Sequence, residues 1–200
     1  MLVTGVGLAV LQQWSGINII FNYAQELYLQ AGYGINGALL NIMITGAVNL
    51  IFTVFAMGCV DRFGRRTLLL WGCAGIALAH ALLGLAYASG LGGTFVLTLT
   101  LAAIGCYAMS LAPVTWVVIA EIFPNRIRGA AVSVAVSALW IASFALTFTF
   151  PLLNQLLKTA GTFWLYSVIC LAGLVFILLR VPETKGKTLE QIEHDIARAA

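Results

Sequence analysis

Ten Lys/Arg and seven Asp/Glu residues are gathered at a few points of this 200-residue chain, and that gathering limits what it can fold into. Between the charges run five uncharged stretches, 1–25, 27–60, 67–120, 129–157 and 159–179. A helix that crosses a bilayer needs roughly 20 apolar residues, since every backbone N–H and C=O at that depth must be satisfied without water. The stretch 67–120 is long enough for two crossings, and the turn-forming run Ala88-Ser89-Gly90-Leu91-Gly92-Gly93-Thr94 divides it. Six spans are therefore expected, at about 2–23, 38–60, 67–87, 95–120, 129–153 and 160–180. Hydrophobic residues make up 62% of the chain and charged ones 8%, against about 25% charged in a soluble domain. Water is the wrong solvent for such a surface.

The expected fold class is an all-α integral membrane bundle of six transmembrane helices in one domain, residues 1–180, followed by a tail at 181–200. Six crossings put both termini on one side. The connections at 61–66 and 121–128 and the tail from Arg180 hold nine of the ten Lys/Arg, and the opposite loops hold only Lys158. By the positive-inside bias, both termini are cytoplasmic. This is the pattern of a multi-pass protein of the plasma or inner cell membrane. The first apolar run has no basic n-region and no cleavage site, so it reads as a span and not as a signal peptide. In the tail, Thr188-Leu189-Glu190-Gln191 forms a capping box, and Leu189, Ile192 and Ile196 share an edge, which predicts a short amphipathic helix.

Polar side chains within the spans are where function is sought, because lipid tolerates them only against protein or a wet cavity. The first span carries four amides, Gln12, Gln13, Asn18 and Asn22, around Ser15-Gly16. At about 100° per residue an unbroken helix would scatter them over more than half its circumference. A break at Gly16 would let them converge on one cavity, as discontinuous helices do at transporter midplanes; interhelical glue is the alternative. In the second span Asn41, Thr45, Asn49 and Thr53 recur every fourth residue and form one stripe, with Asn49 placed to face a cavity. Pro113, three residues before Trp116, predicts a hinge. Trp116 suits either the cavity or an interfacial belt. Ser133, Ser137, Trp140, Ser143 and Thr147 share a face of the fifth span. Amides beside tryptophans suit a sugar, whose hydroxyls take bidentate hydrogen bonds and whose C–H face stacks on a ring.

His80 is the one ionisable residue well inside a span, and it reads as a proton relay or as a structural group in a Gly/Ala-rich, tightly packed stretch. His194 lies on the tail and reads as solvated. Cys59, Cys73, Cys106 and Cys170 fall within spans at no metal-ligand spacing and read as small packing residues. Neither a metal nor a cofactor is expected. An enzyme would need a nucleophile, a metal cluster or paired carboxylates, and the spans hold no carboxylate. A nucleic-acid partner is not expected; a lipid bilayer is. At the cytoplasmic turns, anchoring explains the arginines of Asp61-Arg62-Phe63-Gly64-Arg65-Arg66 and of 121–128, but not Asp61 and Glu121. Ion pairs that form in one conformation and break in another would explain both signs.

Four motifs stand in order: Gln12-Gln13-Trp14-Ser15-Gly16-Ile17-Asn18, the Asp61–Arg66 turn, Trp116 followed by Glu121-Ile122-Phe123-Pro124, and Pro182-Glu183-Thr184-Lys185-Gly186. Together they resemble the C-terminal six-helix half of the sugar porter family of the major facilitator superfamily, over essentially the whole chain. The resemblance implies sugar contacts from Gln12, Gln13, Asn18, Asn49 and Trp116, with Trp140 an aromatic near the site. It also implies a conformational lock of Asp61, Arg65, Arg66, Glu121 and Arg128, with Glu183 nearby, holding the outward-open state. Many members have an amide where Leu139 stands, a tyrosine at Asn22 and a glycine at Ala112; these departures bear on which sugar is bound. The implied partners are a hexose or pentose and an N-terminal six-helix half absent from this chain. A coupling proton, where the family uses one, is carried by a carboxylate of that other half. A fragment of a longer transporter is expected. The alternatives are a polyol or inositol carrier and a non-transporting fragment or sensor that keeps the sugar site; the short tail speaks against a sensor.

Overall fold

A computed structural model describes residues 1–186, and every regular element in them is a helix. The expected tail helix at 188–196 and His194 lie outside the described residues. The helices are α1 (Leu2–Trp14), α2 (Ile17–Asn22), α3 (Ala24–Gln30), α4 (Ile35–Phe63), α5 (Arg65–Ala88), α6 (Thr94–Met109), α7 (Leu111–Ile122) and α8 (Arg128–Arg180). Four helical stretches are long and apolar enough to cross a membrane: Ile35–Phe63, Arg65–Ala88, Thr94–Ile122 and Arg128–Arg180. The last has 53 residues, too long for one crossing at 1.5 Å per residue. It is interrupted at Lys158, whose φ of 59° and ψ of 170° turn the chain between two rods. Large apolar side chains point outward, among them Met43 and Phe55 on α4, Trp71 on α5 and Leu179 on α8. Such a surface suits lipid and would aggregate in water.

The breaks in the helices position everything else. After Trp14 the chain turns at Gly16, whose φ is +84°. In an unbroken helix the Ile19 N–H would serve the Ser15 carbonyl; here it bonds the Gly16 carbonyl at 3.1 Å. The Ser15 carbonyl instead accepts from His80 Nε2 at 2.8 Å and from the Cys170 thiol at 3.5 Å, and Ser15 Oγ donates to the Gln12 carbonyl at 2.9 Å. A second break follows at Tyr23, a position at which no glycine or proline marks a break. A third comes at Ser110 (φ −131°, ψ −91°), three residues ahead of Pro113 and one turn earlier than the hinge placed at the proline itself.

Pro151 makes the fourth irregularity. Lacking an N–H, it leaves the Thr147 carbonyl without its helical donor, and the Tyr23 hydroxyl supplies one at 3.1 Å. The Tyr23 ring lies 4.4 Å, centroid to centroid, from Phe150 in the same kinked turn. α1 packs against α7 and α8, α5 against α6 and α8, and α4 against α6. The core is closed by Leu8, Ile17, Ile19, Ile20, Leu69 and Ile76, all essentially inaccessible.

Gly16 resists a side chain for two reasons at once. A Cβ there would lie 2.7 Å from Tyr166 Cγ, on backbone that L-residues rarely adopt. Gly16→Ala should destabilise the protein by roughly 2–5 kcal/mol, combining the left-handed backbone with overpacking. The measurement is the thermal transition of the detergent-purified protein. An unchanged transition would mean the turn is not fixed as described.

Candidate functional site

The two breaks around α2 decide where the first-span amides go. Gln13 is the next-to-last residue of α1 and Asn18 the second of α2, and the Gly16 turn folds them together so that the Asn18 amide donates to the Gln13 side-chain oxygen. Gln13 is buried and Asn18 half-buried, which leaves the Asn18 end of the pair accessible. Asn22, one turn on, is exposed and donates to Thr147 Oγ1 at 3.3 Å. Among the described residues no hydrogen bond joins the Gln13–Asn18 pair to Asn49, Trp116 or Trp140.

Gln12 departs from the expected sugar contact. It is 3% exposed, and its Nε2 donates to the Leu111 and Ala112 carbonyls, both at 3.0 Å. Those carbonyls belong to the first turn of α7, immediately before Pro113. The physical reason is proximity to the Ser110 break: an amide with two hydrogens bridges adjacent carbonyls where the helix restarts. Gln12 therefore ties α1 to α7, while its Oε1 is buried without a hydrogen-bond partner.

The α4 stripe divides at its middle. Asn41 and Thr45 are buried; Thr45 shares a 2.7 Å hydroxyl contact with Tyr28 of α3 and so serves as interhelical glue, whereas the Asn41 Nδ2 has no hydrogen-bond partner among the described residues. Asn49 is half-buried, and its backbone carbonyl accepts from Thr53 Oγ1 at 2.7 Å. Its side-chain amide is engaged by none of the described residues. Trp116 is 42% exposed on α7 and Trp140 66% exposed on α8. Both offer ring surface free of protein, although α7 also has a buried face of Val114, Thr115, Val118 and Ile119. Leu139, where an amide is common, is buried. The arrangement supplies donors and acceptors on α2 and α4 and two indole faces on α7 and α8.

The charged cluster is at the other end of α4, where Gly64 turns the chain into α5. Arg65 pairs with Asp61 (Nη1 to Oδ1, 2.9 Å) and with Glu121 (Nη2 to Oε1, 3.0 Å). Glu121 Oε2 accepts from Thr184 Oγ1 at 2.6 Å. Glu183 Oε1 accepts the backbone N–H groups of Arg65 at 3.0 Å and of Thr184 and Lys185, both at 3.1 Å. A carboxylate on the free N–H groups at the start of α5 is favoured by both hydrogen bonding and the helix dipole. Lys185 Nζ closes the strap by donating to the Arg62 carbonyl at 2.7 Å. Arg66 and Arg128, expected as ion-pair members, meet no acid among the described residues. Arg66 Nη2 donates to the Leu178 carbonyl at 2.6 Å and Arg128 Nε to the Phe123 carbonyl at 3.2 Å. Both lie next to the carbonyl-rich end of a helix, where a cation is equally welcome.

Tyr23 was not singled out from the sequence; Thr147 was named only on the polar face of the fifth span, and Thr184 and Lys185 only as members of the tail motif, without these contacts. Pro151 carried the only usable signal, since a proline within a span names the carbonyl four residues back as one that needs a donor.

With this geometry in place, comparison with known proteins decides the family. The family model for sugar (and other) transporters matches residues 1–196. The chain belongs to that family. It is 39% identical over 199 residues to the D-xylose-proton symporter of Escherichia coli (strain K12), covering 96% of this chain and 40% of that protein. It is 39% identical over 195 residues to the glucose facilitated diffusion protein of Zymomonas mobilis, covering 94% of this chain and 41% of that protein. The solved structure of the major facilitator superfamily proton:xylose symporter XylE bound to 6-bromo-6-deoxy-D-glucose superposes with a TM-score of 0.89 at 39% identity, over 97% of this chain and 42% of that one. The chain thus spans about two fifths of the length of the relatives it matches. Family members of this kind are integral membrane transporters, and the sugar porter resemblance of the four motifs stands.

Glu183 gives the sharpest local test. Glu183→Ala removes the acceptor of three backbone N–H groups, worth about 1–3 kcal/mol for a charge-assisted group. Hydrogen exchange at the Arg65 amide should speed up, with a lower melting temperature in detergent. Exchange at the wild-type rate would mean that the carboxylate does not cap α5.

Proposed function

We propose that this chain is the C-terminal six-crossing half of a secondary transporter that moves a monosaccharide, a hexose or pentose, by alternating access. The observation that carries this reading is the break at Gly16, which turns Asn18 back onto Gln13 and leaves its outer edge accessible at bilayer depth. Gln13, Asn18 and Asn49 provide the hydroxyl-binding groups of the site, and Trp116 and Trp140 the stacking surfaces. Gln12 acts by holding α7, and with it Trp116, at a fixed distance from α1. Relatives that match this chain at 39% identity carry xylose and glucose in their names, which supports a sugar over other polar solutes.

The remaining parts of the reading follow from charge. Nine of ten Lys/Arg on one set of connections supports a cytoplasmic location for both ends of the chain, with spans near 2–23, 38–60, 67–87, 95–120, 129–153 and 160–180. The cluster of Asp61, Arg65, Glu121 and Glu183 would then lie on the cytoplasmic face and act as a lock that holds the outward-open state. Arg66 and Arg128 act through helix-end carbonyls instead. The second wall of the cavity comes from an N-terminal six-helix half, and one half rocks against the other. No carboxylate of this chain stands inside a span, so a coupling proton, where the complete transporter uses one, is carried by that other half.

Uptake of radiolabelled xylose and glucose into proteoliposomes containing the complete transporter tests the reading. Gln13→Ala and Trp116→Ala should each reduce uptake roughly ten- to hundredfold at low sugar, the loss expected for a buried hydrogen bond or an aromatic face. Uptake unaffected by either change would refute the site.

A further inference from the structure

The sugar reading leaves one buried titratable side chain without a task. His80 lies in the middle of α5, has no accessible surface, and is packed between Phe163 (ring centroids 5.5 Å apart) and Tyr166 (6.2 Å) of α8. Its Nε2 is 2.8 Å from the Ser15 carbonyl, the one that loses its helical donor at the Gly16 turn. A carbonyl oxygen only accepts, so Nε2 carries the proton and the neutral ring leaves Nδ1 without one. Nδ1 is buried with no hydrogen-bond partner among the described residues. A proton relay needs a partner at each end, and this ring has one at a single end.

The geometry points to His80 as the positioning residue of the sugar site: its Nε2–H replaces the lost helical donor of Ser15 and so fixes the angle between α1 and α2 at which Gln13 and Asn18 meet. Three features make a histidine effective here. Among the described residues the only other donor to that carbonyl is the Cys170 thiol at 3.5 Å, a weak one. The ring is rigid and is wedged by two aromatic neighbours, so the proton it presents has a fixed direction. The Gly16 turn itself is pressed against Tyr166, one of the two rings that clamp His80, so turn and ring share a wall. A slack turn would change where the α2 amide points long before it unfolded the bundle. The residue acts through Ser15 and touches no substrate.

This inference rests on the sugar-transport reading for its functional half, and two measurements on the complete, detergent-purified transporter separate the two. In the first, sugar affinity is measured by titration with xylose and glucose for wild type, His80→Leu and His80→Gln. A glutamine amide presents its nitrogen near the place of Nε2, and leucine presents nothing. His80→Leu should bind about tenfold more weakly, corresponding to the loss of roughly one hydrogen bond, and His80→Gln should stay within about threefold of wild type. His80→Leu at wild-type affinity, or both variants equally weakened, would overturn the positioning role. In the second measurement, ¹⁵N magnetic resonance of the wild-type histidine rings, with the His80→Gln spectrum identifying the His80 signals, reads the tautomer directly. A neutral ring protonated at Nε2 is expected; a proton on Nδ1 would overturn the inference even if His80→Leu fails to fold. Wild-type protein that binds neither sugar while showing the Nε2–H tautomer would count against the sugar reading and leave the contact to Ser15 standing.

Discussion

A peptide carbonyl at bilayer depth has no water to turn to, and the arrangement of this bundle depends on how each interrupted helix meets that demand. The Ser15 carbonyl, freed at Gly16, accepts hydrogen bonds from His80 and Cys170. The Thr147 carbonyl, orphaned by Pro151, takes one from Tyr23. The restart of α7 beside Pro113 is held by the Gln12 amide. In each case the donor comes from a different helix, so satisfying the backbone also fastens two rods together. An unsatisfied buried group costs about 1–3 kcal/mol, enough to make each irregularity a specific joint. The polar side chains of this half therefore divide by their task. Gln12, Tyr23 and His80 serve the backbone, and Asn18, Asn49, Trp116 and Trp140 keep capacity for something else.

That division explains how much was legible in the sequence. Charge-free runs located the helices, because lipid leaves a chain so little choice of conformation. α4, for example, covers 35–63 against an expected span at 38–60. The Gly16 turn was legible because four amides on one unbroken helix make no physical sense. Gln12 reads as a ligand from sequence because composition cannot distinguish an amide that faces a cavity from one that faces backbone carbonyls of α7. Arg66 and Arg128 were taken for ion-pair members on the same footing, and sequence offers nothing to show that the nearest acceptor is a helix end. The Tyr23 break and its bond to Thr147 are long-range, joining positions 124 residues apart, and only Pro151 hinted at them.

The charged strap between the α4–α5 turn and the residues after α8 follows the same logic with charges. The Glu183 carboxylate sits on the amides that begin α5, and Thr184 and Arg65 both reach Glu121. The residues after α8 are thereby tied to the α4–α5 turn and to α7. A tie made of several moderately exposed polar contacts is strong enough to hold one conformation and weak enough to release, since partly solvated ion pairs are individually worth little. Surface pairs of this type suit a lock better than a weld.

The central claim is that the Gly16 turn presents amides to a wet, sugar-sized space, and labelling from water tests it most directly. The native Cys59, Cys73 and Cys170 are buried and Cys106 is half-buried, so a single added thiol can be followed. In Asn18→Cys of the complete transporter, a charged, membrane-impermeant thiol reagent should react at position 18, and saturating transported sugar should slow that reaction. A thiol that no aqueous reagent reaches, or one that reacts at the same rate with and without sugar, would contradict the account.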